Sequence, residues 1–375
     1  MTPAVSARGG NRFAAGILGE STGTLGQNPG FARKRTVILS VLLLGLGLSW
    51  ALTVAMRRYA IRSELLDRPN DRSSHAVPTP RGGGLAIVAS FLSATLALHW
   101  IVPLPVPMLA SLLGSAVLVA WVGWLDDRHT LAARWRFLAH VLAAAWSVWL
   151  MGGIPPVPAF GHHLDLGWLG TGLAVAYLVW MTNLFNFMDG IDGIAGIEAA
   201  TVAAGGAACW WLATGTPLWA LPLLLAAAVG GFLVLNYPPA KIFMGDVGSG
   251  FIGVVLGLLS LWTAQQATQV YWAWFILIGC FMVDATTTLL RRVRRGERFY
   301  EAHRAHAYQY ASRRHGSHKA VSLAVGAINT LWLLPLALAV ATRRLDGLAG
   351  TLIAYAPLVW LAYRYKAGDR AAQAA

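Results

Sequence analysis

Met181-Thr182-Asn183-Leu184-Phe185-Asn186-Phe187-Met188-Asp189-Gly190-Ile191-Asp192-Gly193-Ile194-Ala195-Gly196 closes an apolar run that begins near residue 168. Its length, about twenty residues, is what a helix needs to cross a bilayer core, and that decides the fold. Asn183, Asn186, Asp189 and Asp192 recur every third residue, so a helix continued to residue 192 would put all four on one face. Gly190, Gly193 and Gly196 let backbone or ligand approach closely. Acids at a membrane boundary are costly unless a cation stands between them, and a divalent metal or metal-bound diphosphate suits that place. The same residues also read as a loop with two solvated aspartates.

Outward from this stretch the pattern repeats. The 375-residue chain is 57% hydrophobic and 12% charged, about half the charge of a soluble domain. Mean hydropathy is +0.56. Apolar runs lie at 37–56, 84–102, 106–125, 136–152, 168–187, 195–213, 218–236, 250–264, 270–290, 320–341 and 346–363. These predict an all-α, polytopic integral membrane protein with about eleven transmembrane helices and its active site on cytoplasmic loops. Residues 1–35, rich in Gly, Ser, Thr, Ala and Pro, read as a disordered tail. Residues 36–364 form the transmembrane domain and 365–375 a C-terminal tail. Arg33-Lys34-Arg35 before the first run imitates a signal peptide, but the many later spans favour a retained helix. Cys209 and Cys280 fall inside apolar runs, so neither a disulfide framework nor a thiolate metal site is expected.

Net charge is +13. In a membrane protein this indicates basic loops rather than a nucleic-acid partner. Alternating the loops puts 22 of the 29 Lys and Arg on one side, while the opposite short loops hold only Arg343 and Arg344. That bias marks the cytoplasmic face. Nearly every polar cluster falls there. The first loop carries His75 and Arg81 around Pro78-Thr79-Pro80 and a glycine run leading into a helix, which suits a phosphate; it also reads as a positive-inside loop with a flexible turn. Asp126-Asp127 can hold a metal and offer a base, or can be a helix terminus meeting water. Asn236 precedes Phe243-Met244-Gly245-Asp246-Val247-Gly248-Ser249, where an acid flanked by glycines before a helix can grip Mg²⁺ and Phe243 can stack on a base. His303 and His306 share a face if helical and, with Arg304, offer donors to a diphosphate; no third soft ligand favours zinc. A basic surface on anionic lipid is the other reading of this loop. Together the clusters predict an active site for a phosphate-bearing substrate with Mg²⁺.

The set Pro-Thr-Pro-x-Gly-Gly (78–83), Asp126-Asp127, Asn-x-x-Asp-Gly-x-Asp-Gly (186–193), Phe-Met-Gly-Asp-x-Gly-Ser (243–249) and His-x-x-His (303–306) resembles the polyprenyl-phosphate N-acetylhexosamine-1-phosphate transferases. The loop from Arg295 to Gln309 most resembles their O-antigen-initiating branch. The resemblance implies a UDP-N-acetylhexosamine and undecaprenyl phosphate as substrates, UMP as product and Mg²⁺, with Mn²⁺ as a substitute. The lipid bilayer is a partner and the bacterial inner membrane the location. Asp246 would be the principal metal ligand with Asp189 as a second. Asp126 and Asp127 would activate or position the lipid phosphate. Asn186, Asp189, Asp192, Asn236 and Phe243 would form the uridine-diphosphate site, Asn183 would also bind substrate, and His303 and His306 would face the sugar or diphosphate. Two departures stand out: the histidine loop is sparser than in other branches, and the lysine that the pentapeptide translocases carry before the Pro-rich loop is absent. The second argues against a pentapeptide-bearing substrate. A CDP-alcohol phosphotransferase is disfavoured because Ile191-Asp192 follows Asp189-Gly190, and a transporter because the acids sit at span ends. The sequence leaves the sugar and the oligomeric state open, a homodimer included.

Overall fold

The computed structural model describes residues 29–69, 77–129, 131–297 and 304–369. Among these residues the chain forms α1 (Pro29–Arg62), α2 (Gly84–Ile101), α3 (Val106–His129), α4 (Ala133–Met151), α5 (Gly167–Met188), α6 (Ile194–Thr214), α7 (Ala220–Asn236), α8 (Asp246–Gln266), α9 (Val270–Leu277), α10 (Gly279–Arg294), α11 (Ala307–His315), α12 (His318–Ile328), α13 (Leu334–Ala341) and α14 (Gly347–Arg364). Two short antiparallel hairpins complete it, β1 (Leu66–Asp67) with β2 (Thr79–Pro80), and β3 (Val157–Ala159) with β4 (His162–Leu164).

Among the described residues, seven helical segments are long and apolar enough to cross a membrane, eight if α9 and α10, bent by 70°, count as one crossing. This is fewer than the eleven predicted. The other predicted spans exist as α4, α6 and α14, of 19, 21 and 18 residues. They are less apolar because α4 carries Arg134, Arg136 and His140, α6 carries Glu198, and α14 ends on Arg364. Two boundaries also shift. Helix α1 begins at Pro29, so the end of the predicted N-terminal tail is helical; residues 1–28 lie outside the described residues. The C-terminal tail is strapped down through Asp369: Gly368 N–H donates to the Ala305 carbonyl (2.6 Å) and Arg291 Nη1 to that of Ala367 (2.7 Å).

Helix α8 is the axis, buried along almost all its length. Its glycines explain how closely neighbours approach. A Cβ on Gly253 would run into the Met181 carbonyl of α5, and one on Gly84 into the Gly248 backbone. Small residues give such crossings without a hydrophobic driving force between helices. The packing of α3 and α5 on α8 brings the C-terminal ends of the first two to the N-terminus of the third.

Candidate active site

The site begins with two loops sewn together by their backbones. Phe243 N–H donates to the Pro80 carbonyl (2.8 Å), Gly83 N–H to that of Phe243 (2.9 Å) and Gly84 N–H to that of Met244 (2.8 Å). The chain then turns through Gly245 at φ +76°, a conformation natural to glycine, and α8 starts at Asp246. Gly245 has no side chain to cap the helix. Asp127, from the last turn of α3, takes that role: it accepts the N–H groups of Asp246 (2.9 Å) and Val247 (3.2 Å). A carboxylate there also suits the positive end of the helix dipole.

Two arginines bridge three acids. Arg81 Nη2 lies 2.8 Å from Asp127 Oδ1 and 3.1 Å from Asp246 Oδ1. Arg136 Nη1 lies 2.6 Å from Asp126 Oδ2 and 3.3 Å from Asp246 Oδ2. The other oxygen of Asp126 accepts the Leu131 N–H (2.6 Å). Asp126 and Asp127 thus point apart, as neighbours at a helix end must. Burial works against the Arg81 charge, but Asp127 and Asp246 outweigh it, and its pKa is raised. The Asn186 amide donates to Ser249 Oγ (3.3 Å).

The predicted four-residue stripe does not survive. Helix α5 ends at Met188, Asp189 is its cap, and Gly193 at φ +74° opens α6. Asp189 stays with the cluster: burial and then the Asp246 charge push its carboxyl up to about 7. Asp192 turns instead to Ala240, whose N–H it accepts (3.0 Å), and to His318 Nδ1 (3.4 Å); Ser322 Oγ donates to its carbonyl (2.8 Å). Asn236 accepts the Gly193 N–H (3.2 Å) and donates to the Ile242 carbonyl (2.9 Å). Both side chains brace the loops. Phe243 is half-buried beside the Pro80–Gly84 loop. His75 and His303 lie outside the described residues. Arg304 is half-buried, and its carbonyl accepts from Arg313 Nη2 (3.4 Å).

His306 is buried away from solvent at the start of α11. Its Nδ1 is 3.3 Å from Asp284 Oδ1, and Asp284 also accepts the N–H groups of Ala307 (2.9 Å) and Tyr308 (3.0 Å) and the Thr288 hydroxyl (3.1 Å). The Tyr308 hydroxyl donates to the Phe187 carbonyl (3.2 Å), so α11 clamps the turn that carries Asp189. His306 is thus held on Asp284, which connects through Tyr308 to Phe187 at the turn that carries Asp189.

A model of glycosyl transferase family 4 matches residues 109–264, which hold Asp126, Asp127, the 183–192 stretch and Asp246. A probable undecaprenyl-phosphate N-acetylglucosaminyl 1-phosphate transferase of Bacillus subtilis is 32% identical over 64% of this chain and 68% of its own. A phospho-N-acetylmuramoyl-pentapeptide-transferase of Moorella thermoacetica is 32% identical over 70% and 83%. The undecaprenyl-phosphate alpha-N-acetylglucosaminyl 1-phosphate transferase of Escherichia coli K12 is 29% identical over 68% and 71%. The chain belongs to glycosyl transferase family 4. It is a multi-pass membrane transferase of sugar 1-phosphates to polyprenyl phosphate.

In this family 4 transferase the acid cluster opens onto a cavity of about 980 Å³ between α3, α4, α5 and α8. Arg136, Asn183, Asn186 and Asp246 form its polar end; Val119, Val122, Phe137, Val141, Val175 and Val179 line the apolar remainder. His140, one turn beyond Arg136, also faces it, its Nδ1 3.5 Å from Asn183 Nδ2. Asn183 donates to the Val179 carbonyl as well (2.7 Å). Sequence reasoning counted Arg136 only as positive charge and passed over His140, Asp284, Tyr308 and His318. The four-residue spacing of Arg136 and His140 was the one available signal for that pair.

Proposed function

We propose that this transferase moves an N-acetylhexosamine 1-phosphate from a UDP-sugar to undecaprenyl phosphate at the cytoplasmic face of the bacterial inner membrane, with Mg²⁺. The product would begin an O-antigen or other envelope polysaccharide. One observation carries the reading: three carboxylates from two helices are bridged by two arginines, and two members of that cluster, Asp246 and Arg136, line a largely apolar cavity. A polyprenyl phosphate has that form, a long apolar chain ending in an anion. The basic bias of the loops on this side supports the cytoplasmic assignment.

The donor set fits Mg²⁺ in a particular way. Among the described residues no group of three His, Cys, Asp or Glu side chains converges as a metal cage. Mg²⁺ is commonly held by one or two carboxylates together with substrate phosphates. Asp246 would be the principal ligand and Asp189 the second. When bound, the ion would neutralise the diphosphate and stabilise the departing UMP.

The chain's own residues align the rest. A lipid-phosphate oxygen attacks the β-phosphorus of the nucleotide sugar, and the bond from that phosphorus to the bridging oxygen breaks, leaving that oxygen on UMP. The nucleophile is already anionic, so alignment and charge neutralisation are the main tasks. Arg81 and Arg136 offer guanidinium groups to the phosphates. Asp127 is engaged by two backbone N–H groups and an arginine; Asp126, bound to one N–H and Arg136, would be the one to accept a proton from the lipid phosphate. Phe243 would stack on uracil. Asp192, Asn236 and His306 act through the loops they hold.

Two of the three relatives described are named for N-acetylglucosamine, so UDP-GlcNAc is the first donor to try. Purified protein with undecaprenyl phosphate and Mg²⁺ should release UMP from UDP-GlcNAc or UDP-GalNAc, and not from UDP-MurNAc-pentapeptide. The lipid product should gain one sugar and one phosphate by mass, and EDTA should stop the reaction. UMP release that ignores the lipid phosphate would overturn the reading.

A further inference from the structure

Glu198 lies in the first half of α6, wholly buried, and no described Lys, Arg or His stands within ion-pair distance. Its Oε2 accepts Asn329 Nδ2 at 2.6 Å, and the first turn of α10 lies beside the carboxyl. The other titratable groups facing it are the Cys280 thiol of α10 and the Tyr355 hydroxyl of α14, and neither is a cation. Two oxygens are left over. Glu198 Oε1 and Asn329 Oδ1 are both buried, and both lack a partner when each is treated as an acceptor only. A bare carboxylate in apolar surroundings is costly, and so is an orphaned amide oxygen. A single proton on Glu198 would relieve both costs, with the acid O–H turned to Asn329 Oδ1 while Oε2 accepts from Nδ2.

Asn329 also donates to Thr201 Oγ1 at 2.8 Å and opens a five-residue π-helical segment, Asn329–Leu333, after α12. Such irregular turns often mark functional sites. The pair lies beneath both supports of the Asp189–Asp192 turn. Helix α12 places His318 and Ser322 on Asp192, and α6 begins immediately after that turn. Helix α10 starts at Gly279 against the carboxyl and carries Asp284, which caps α11, whose Tyr308 clamps Phe187.

We propose that Glu198 is a neutral carboxylic acid paired head-to-head with the Asn329 amide, and that this pair is the positioning joint beneath the Asp189–Asp192 turn. Its activity arm rests on the sugar-phosphate transfer proposed above; its spectroscopic arm does not. Infrared difference spectra of wild type minus Glu198→Gln should contain a carboxylic-acid C=O band that shifts in D₂O and persists from mildly acidic to mildly alkaline pH. Glu198→Gln supplies an N–H to the same amide oxygen, so its turnover should stay within about threefold of wild type, the scale of exchanging one neutral hydrogen bond for another. Glu198→Ala should lose about tenfold or more, the scale of a stranded buried amide, with KM for the nucleotide sugar rising and KM for the lipid phosphate unchanged. A carboxylate band in place of the acid band, or a Gln variant as damaged as the Ala variant, would overturn the proposal. Should the Ala variant fail to fold, the Gln variant and the spectra still decide it. A lost activity reading with the acid band present would leave the acid–amide pair standing and remove only the transfer reaction.

Discussion

Two helices here begin against a carboxylate lent by another helix. At α8 the lender is Asp127 of α3, and at α11 it is Asp284 of α10; each accepts two consecutive backbone N–H groups. Both answer the same need, since the first amides of a helix have no partner within it. They differ in what else the carboxylate touches. Asp127 shares Arg81 with Asp246, whose side chain is 21% exposed and lines the cavity. Asp284 is closed off by Thr288 and His306 in a buried setting. An arginine shared between acids can turn to an incoming phosphate. A carboxylate satisfied by a hydroxyl, an imidazole and two amides has nothing left to offer and serves as a joint.

Mutations at the two caps should therefore part company. The largest effect belongs to Asp246→Asn. Removing the charge that both arginines and the proposed Mg²⁺ share should cut kcat by on the order of a thousandfold, several kcal/mol of charge stabilisation. Its thermal midpoint should hold, because the N–H groups at the start of α8 are still capped by Asp127. Near-normal turnover would remove Asp246 as the metal ligand and erase the contrast. Asp127→Asn comes next. An amide keeps one oxygen for the helix but loses the Arg81 pair, so activity should fall by about a hundredfold with a modest drop in stability. Asp126→Asn should differ from it in severity, and two unaffected mutants would end the proposed role of the pair.

How much of this was readable beforehand follows from what is local. The runs at 106–125, 168–187 and 250–264 coincide with α3, α5 and α8 because apolar length is a property of the segment itself. Asp126, Asp127, Asp189 and Asp246 stood out because acids at span ends are rare. Which acid caps which helix depends on a neighbour more than a hundred residues away, as with Asp127 and Asp246. Asp284 and Glu198 lay inside or beside apolar runs with nothing local to mark them. The stripe through Asp192 failed for a cause that was on view: Gly190 and Gly193 stand where a helix must break, and glycine is a poor residue to carry one through.

The joint at α11 predicts a loss of a different kind. Asp284→Asn retains the shape but cannot accept from all four donors, so it should cost about 2 kcal/mol of stability, the range seen for lost caps and stranded buried amides. A thermal-shift measurement in detergent should show the midpoint falling together with activity. Constant stability with a collapse in kcat would instead make Asp284 part of the chemistry and bring the two caps into one class.

The smallest effect separates the two caps most sharply. His306→Gln keeps a side chain able to donate toward Asp284 and to remain near Tyr308, so stability should drop by about 1 kcal/mol or less, one neutral hydrogen bond exchanged for another. The KM for UDP-sugar should be unchanged, since the ring is buried on Asp284 and does not line the cavity beside Asp246. A direct contact with the sugar or diphosphate would show the reverse, a raised KM at constant thermal midpoint. That outcome would mean α11 moves on binding to bring His306 out of its socket, and the joint would then be a second working edge of the same site.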